Sequence, residues 1–267
     1  MLWINGEQEQ QLSALDRGTQ FGDGCFTTAR VVNDRIVWFE RHLQRLQQAA
    51  EKLMLPTVEW QKLEAEMHQA ARGYQDGIVK VIITRGQGGR GYSPGGCQGS
   101  TRIVMQSDYP EHYARWRSEG ISLAVSPIRL ARSTLLAGIK HLNRLEQIFI
   151  RMHLEQTSAD EALVLDTAGW VVECCAANLF WRKGNVVYTP DVSQAGVDGV
   201  ARQHIIAQLA VSDFRLQIVN APLETLADAE ELIVCNALMP IIPVNQVNTW
   251  CYRSRKLYDF LSPNHES

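Results

Sequence analysis

The chain has 267 residues, a formal net charge of −3 and 45% hydrophobic residues, enough to bury one large core or two modest ones. That composition excludes a disordered, collagen-like or coiled-coil chain, and the near-neutral charge excludes the basic excess of a dedicated nucleic-acid binder. No apolar run approaches the ~18 residues of a membrane span, and the opening MLWINGEQEQ has no basic-then-apolar leader, so a soluble, cytoplasmic protein with no nucleic-acid or membrane partner is expected.

In chain order, Phe26 to Val32 and Arg35 to Trp38 are β-rich runs separated by Asn33-Asp34, the signature of a two-residue hairpin turn. A helix follows, because Phe39, Leu43, Leu46, Ala50 and Leu53 recur at steps of three and four, and Pro56 ends it. A second helix is expected from Val58 to Gly73, then strands at Ile78 to Thr84 and Arg102 to Gln106, with a Gly-rich loop from Gly86 to Gly99 between them. The polar stretch DYPEHYARWRSEG marks a domain boundary, with one domain over 1–113 and a second over 114–267. Beyond it the pattern predicts a strand at Ile121 to Val125, a helix from His141 to Glu155, and a meander turning at Thr167-Ala168-Gly169 and Lys183-Gly184-Asn185. A helix from Gly199 to Val211, a strand to Val219, a short helix after Pro222 and a strand at Leu232 to Cys235 complete it. Strands mixed with helices, without strict alternation, give an α+β class.

Six cysteines without paired metal-type spacing are expected as reduced, mostly buried thiols, and seven histidines form no cluster, so no metal site is expected. Gly86-Gln87-Gly88-Gly89-Arg90-Gly91 spells G-x-G-x-x-G after a strand, but the continuation Tyr92-Ser93-Pro94 does not open the helix that a dinucleotide site requires. The same loop carries Arg90 and Tyr92, groups that suit a lid over a carboxylate. Lys80 lies mid-strand and faces either solvent or a site. Lys140 follows the apolar Leu135-Leu136-Ala137-Gly138-Ile139 just before a predicted helix, where desolvation suits a Schiff-base amine and exposure suits a surface lysine. Arg45 lies off the apolar stripe of its helix, the position of a solvated arginine. Glu173 is either a paired structural acid or a cofactor partner, and the helix start at Gly199 and the strand end at Asn236 each offer backbone donors to an anion.

In order along the chain come Asp16-Arg17-Gly18 with Phe21-Gly22-Asp23-Gly24, His42-Leu43-Gln44-Arg45-Leu46, the Lys140 segment, Glu173 with Asn178-Leu179-Phe180, Gly199-Val200-Ala201-Arg202 and Cys235-Asn236-Ala237. This series resembles the fold-type IV pyridoxal-phosphate enzymes, the family of branched-chain and D-amino acid aminotransferases, over essentially the whole length. Within the family, FGDGCFTTARV, RGQGGRGYSP, LAGIKHLNRLEQ and ECCAANLFWRKGNVVYTP are most similar to a lyase. Two departures weaken a transaminase reading. Tyr92 stands where D-amino acid aminotransferases carry a lid histidine, and Cys174-Cys175-Ala176-Ala177 follows Glu173 where branched-chain enzymes have a Gly-rich turn.

The resemblance implies a two-domain α+β fold, a small α+β lobe and a larger barrel-like lobe, in a homodimer whose neighbouring small-lobe loop contributes to each pocket. The implied cofactor is pyridoxal 5'-phosphate. Lys140 would be the catalytic residue and carry the cofactor covalently. Arg45 would hold its phosphate with the backbone of Val200, Ala201, Asn236 and Ala237, and Glu173 would face its pyridine nitrogen. Arg90, Tyr92 and Tyr109 would line the substrate side. The implied activity is conversion of the small-molecule substrate 4-amino-4-deoxychorismate to 4-aminobenzoate and pyruvate, a step toward folate. The alternative is transamination of D- or branched-chain amino acids on the same fold.

Overall fold

The computed structural model describes residues 1–239 and 241–262. The chain divides into two compact units. The first comprises Met1–Tyr109 together with the short return Lys140–Asn143, and the second comprises Pro110–Ile139 and everything from Arg144 onward.

The first unit contains β1 (Leu2–Ile4), β2 (Glu7–Gln8), α1 (Arg17–Phe21), β3 (Gly24–Val32), β4 (Arg35–Ile36), α2 (Phe39–Lys52), α3 (Trp60–Ala71), β5 (Asp76–Thr84) and β6 (Thr101–Asp108). Its six strands form an antiparallel sheet in the order β2-β1-β6-β5-β3-β4. Along β3, Cys25, Thr27, Ala29 and Val31 are buried while Phe26, Thr28, Arg30 and Val32 are half-buried, the period-two signature of a sheet covered on one face. The cover is α2, packed on β3, and α3, packed on β5 and β6. It buries Leu43, Leu46, Ala49 and Ala50 from α2 and Leu63, Met67, Ala70 and Ala71 from α3. Each fully buried leucine or methionine there stabilises the fold by about 1.5–3 kcal/mol. The expected hairpin turn forms with Asn33 and Asp34 both at positive φ, 49° and 63°. Its second strand is shorter than the β-propensity of Arg35 to Trp38 suggests, because Trp38 takes a left-handed φ of 54° that turns the chain into α2.

The Asp16-Arg17-Gly18 motif anchors the Gly-rich loop. Buried Asp16 accepts from the Gly18 amide and from the hydroxyls of Thr84 and Thr101 at 2.8–2.9 Å. Arg17, 4% exposed, pairs with Asp23 at 3.0 Å and donates to the carbonyls of Gly91, Tyr92 and Ser93. Gly86 must be glycine: φ is +81° and a Cβ there would lie 2.0 Å from the Gly99 carbonyl oxygen.

The second unit contains α4 (His112–Glu119), β7 (Ile121–Val125), α5 (Leu145–Leu154), β8 (Glu161–Leu165), β9 (Val171–Cys174), β10 (Asn178–Lys183), β11 (Val186–Pro190), α6 (Val200–Ala210), β12 (Arg215–Val219), a 3-10 turn at Leu223–Asp228, β13 (Glu231–Cys235), β14 (Ile242–Val247), β15 (Trp250–Cys251) and α7 (Lys256–Leu261). Its mixed sheet runs β12-β11-β10-β13-β14-β7-β8-β9, with β15 on β14. The last strand of that path, β9, also approaches β10 and β11 near its other end, so the sheet curls toward a barrel. Inside lie Leu163, Leu179, Trp181, Leu232, Val234 and Ile242, each at most 1% exposed, with the Trp181 ring stacked on Tyr188 at 5.5 Å.

One element is added and one differs in this unit. The polar stretch, which contains the division at Tyr109 and Pro110, also holds the helix α4. The helix expected from His141 begins only at Leu145, because 140–142 are drawn into extended pairing with β3 of the first unit's sheet, and tertiary hydrogen bonding overrides local propensity.

A buried ion pair ties the C-terminal segment to the sheet. Glu231, 1% exposed, accepts from Arg182 Nε at 3.0 Å and from the amides of Leu257 and Tyr258 at 2.8 Å, so one carboxylate caps the start of α7 and neutralises a buried arginine. Removing one member of such a pair leaves a buried charge, so Glu231→Ala is expected to cost about 3–5 kcal/mol in urea denaturation, and Glu231→Gln less. A loss below about 1 kcal/mol in the alanine variant contradicts this assignment.

Candidate active site

In the first unit, Lys140 sits on an extended segment laid along β3. The Phe26 amide donates to the Lys140 carbonyl at 2.9 Å, the Leu142 amide donates to the Gly24 carbonyl at 3.0 Å, and Cys25 bridges His141. Gly24 has no room for a side chain: a Cβ would lie 2.3 Å from the Ile83 carbonyl oxygen and 2.9 Å from Leu142 Cδ1. The pairing presents the half-buried Lys140 with its amine 4.7 Å from the centre of the Phe26 ring, and Lys80 Nζ lies 5.2 Å from the same ring. An ammonium over a ring face is held by the quadrupole. The open reading of Lys80 closes on the same sheet face as Lys140.

Behind that sheet, Arg45 is 8% exposed, not solvated as its place off the apolar stripe suggests. The helix α2 buries a polar edge as well: His42 is wholly buried beside Arg45. Arg45 donates to the Thr27 hydroxyl, and Thr27 Oγ1 lies 2.6 Å from His42 Nδ1. Arginine only donates, so the Thr27 hydroxyl accepts from Arg45 and donates its own hydrogen bond to Nδ1, which makes His42 the neutral tautomer with the proton on Nε2. Burial drives the His42 pKa well below its ordinary value, and the Arg45 charge adds to that. Burial likewise pushes the Cys25 thiol up to about 12.

In the second unit, Glu173 is 5% exposed on β9, and its Oε2 accepts from the Val197 amide at 2.9 Å. The Val197 carbonyl in turn accepts from Asn178 Nδ2 at 2.9 Å, so this residue is held through both its amide and its carbonyl. Gly196, at φ +86°, passes close enough that a Cβ would lie 2.5 Å from Val172 Cγ1 and 3.2 Å from Glu173 Oε2. At Gly199, a Cβ would lie 2.1 Å from Asn178 Oδ1. Gly199 caps α6 without a side-chain acceptor, leaving the first-turn amides of Val200 and Ala201 at the positive end of a helix dipole. Arg202 braces this end by pairing with Asp198 at 2.7 Å and donating to the Pro190 carbonyl at 2.8 Å. Asn236 follows β13; its Oδ1 accepts from the amides of Leu238 and Met239, its Nδ2 donates to the Ala176 carbonyl, and Ala237 lies within that turn. Arg144 donates to the Ile139 carbonyl at 3.2 Å; burial lowers its pKa, opposed by the charges of Glu173 and Glu146.

Three expected residues lie elsewhere in the first unit. Arg90 is exposed and bridges Ser93, Tyr92 is 89% exposed with its ring 5.6 Å from Phe21, and Tyr109 carries the Arg30 guanidinium 4.4 Å over its ring. Thr27, His42, Arg144 and Asn178, which motif reading does not single out, hydrogen-bond within these clusters. Their signal is position: His42 stands one helical turn before Arg45, Arg144 four residues after Lys140, and Asn178 opens the strand after Glu173.

Residues 24–247 match the amino-transferase class IV family, and the chain belongs to it. It is 33% identical to an aminodeoxychorismate lyase of Vibrio harveyi over 93% of this chain and 92% of that protein. The crystal structure of 4-amino-4-deoxychorismate lyase from Pseudomonas aeruginosa superposes with a TM-score of 0.94 at 33% identity, covering all of both chains. The branched-chain amino acid aminotransferase of Escherichia coli, at 19% identity and a TM-score of 0.88 over 99% of this chain and 94% of that one, shares the fold.

A buried histidine with a lowered pKa titrates at 6.5 only when unfolded. Between the two pKa values the unfolded chain binds more protons, so His42 contributes stability that is present above about 6.5 and lost as pH falls below it. Replacing His42 with Gln is expected to flatten the fall in urea midpoint between pH 7.5 and pH 5.5, and an unchanged slope contradicts the neutral assignment.

Proposed function

We propose that the protein is a pyridoxal-phosphate-dependent lyase that converts 4-amino-4-deoxychorismate into 4-aminobenzoate and pyruvate. The observation that carries this reading is the end-to-end similarity, at 33% identity, to two lyases named for that substrate. The donor set fits the cofactor. Lys140 offers an amine for its aldehyde, Glu173 a buried carboxylate for its pyridine nitrogen, and Arg45 with the amides of Val200, Ala201, Asn236 and Ala237 a set of donors for its phosphate.

Once bound, pyridoxal phosphate supplies an electron sink at the carbon bearing the substrate's nitrogen. Lys140 would hold the cofactor through its amine, which the substrate amine would release. The freed Lys140 amine then removes the proton from the ring carbon bearing nitrogen. Glu173 keeps the pyridine nitrogen protonated throughout, and the Val197 amide holds its carboxylate in place. Lys140 delivers a proton to the departing enolpyruvyl group, and the ring left behind is aromatic, which makes the reaction irreversible. Arg90, Tyr92 and Tyr109 bind the substrate's carboxylates.

The working form in this reading is a homodimer. Leu145, Ile148, Phe149 and Met152 of α5 are each more than half exposed at i, i+3, i+4 and i+7, an apolar stripe suited to a second copy. Exposed Arg90 and Tyr92 then serve the neighbouring subunit's pocket. Six free thiols suit a reducing cytoplasm, and no helix among the described residues is long and apolar enough to cross a membrane.

A second reading, transamination, draws on relatives at lower identity, a putative branched-chain-amino-acid aminotransferase of Methanocaldococcus jannaschii at 28% and a D-alanine aminotransferase of Bacillus licheniformis at 25%. Purified protein given pyridoxal phosphate and fresh 4-amino-4-deoxychorismate is expected to form 4-aminobenzoate and pyruvate in equal amounts, with at least ~1,000-fold loss in Lys140→Ala. Conversion of the cofactor to its amine form by an amino acid, with no 4-aminobenzoate, transfers the function to transamination. Phe149→Asp is expected to give a monomer in sedimentation velocity, and an unchanged dimer places the interface elsewhere.

A further inference from the structure

Glu161 opens β8 at 4% exposure, and none of the roles above uses it. An ionised carboxylate at such depth is costly without hydrogen bonds. Here it is met by backbone amides. Ala162 N donates to Oε1 at 2.7 Å and Ala176 N donates to Oε2 at 3.2 Å, while the nearby Cys175 amide donates to the Ala162 carbonyl at 2.9 Å. The other titratable groups around it are Tyr113 of α4, Arg151 of α5 and Cys174 of β9. Arg151 is more than half exposed and is already paired with Glu155 at 3.1 Å. Burial raises the Glu161 pKa and the amides oppose that rise. A carboxylate spent on turn amides rather than on a close cation fixes backbone.

The turn it fixes, residues 175–177, leaves β9 just after Glu173 and enters β10 at Asn178. Within the turn, the Ala176 carbonyl accepts from Asn236 Nδ2 at 2.9 Å, and Asn236 Oδ1 organises the amides of Leu238 and Met239 at 2.8 and 2.7 Å. Hydrogen bonds thus run unbroken from Glu161 through Ala176 to the Asn236–Ala237 segment.

We propose that Glu161 is a positioning residue of the cofactor site: by pinning the Ala176 amide it sets Glu173 at one end of the turn and Asn236–Ala237 through the other. This rests on the reading that those residues face the pyridine nitrogen and the phosphate of pyridoxal phosphate. The test therefore reads cofactor binding directly, and product formation by the wild type tests the lyase reading separately.

In Glu161→Gln the side chain keeps its shape but turns an NH₂ toward the amides. The expected result at pH 7.5 is a rise of about tenfold or more in the dissociation constant for pyridoxal phosphate, followed by absorbance titration, from loss of charge-assisted hydrogen bonds. The absorption band of the bound cofactor should also shift as Glu173 moves relative to the pyridine nitrogen. Glu161→Ala provides the second variant, assayed at a temperature where circular dichroism shows the apoprotein folded. The proposal is overturned if either folded variant binds pyridoxal phosphate within twofold of the wild type with an unshifted band, for then Glu161 supports only the stability of the sheet.

Discussion

The site depends on a short piece of backbone pairing. Two hydrogen bonds between β3 and the segment 140–142 decide where the Lys140 amine stands, and the Phe26 ring decides which way it points. Neither depends on a flexible loop or a helix end. Gly24 makes the pairing possible because any larger residue would press on the Ile83 carbonyl and on Leu142. An amine on a four-carbon stem gains precision chiefly from its backbone, and here that backbone behaves as part of a sheet.

Buried carboxylates recur as organisers of loops. Asp16 gathers a first-turn amide and two threonine hydroxyls beneath the Gly-rich loop. Glu161 holds the turn after β9, Glu173 holds the Val197 peptide, and Glu231 holds the first amides of α7. In each case much of the desolvation cost of an acid is offset by backbone donors that would otherwise lack partners. Glu173 thereby combines two duties, since the oxygen that orders the approach to α6 belongs to the carboxylate assigned to the cofactor.

Much of this was legible in the sequence, and the failures share one cause. The helix α2 starts where its periodicity begins, α6 lies within one residue of its expected bounds, and the Asn33-Asp34 hairpin forms with the backbone signs its residues favour. The start of α5 differs because Lys140 to Leu142 pair with a strand more than a hundred residues earlier, a partner invisible to any local window. Arg45 looked solvated because hydrophobic periodicity scores an arginine as outward. Its burial needs Thr27 opposite it, on a strand whose register the pattern alone does not reveal. The glycine run after β5 suggested a lid, and only the geometry shows Arg17 and Asp16 holding it from below. What local physics determines was readable; what a long-range partner determines was not.

The excursion of the chain has a bearing on how the protein is made. The first unit includes Lys140–Asn143, yet Pro110–Ile139 lies between those residues and the rest of it. During synthesis the six-stranded sheet can form with its helices, but the β3 edge that receives Lys140 stays unfilled until a further thirty or so residues have emerged. Closing that long loop is among the non-local contacts expected to form late. A nascent or truncated chain therefore carries a folded sheet without the Lys140 amine upon it. That lysine is placed last.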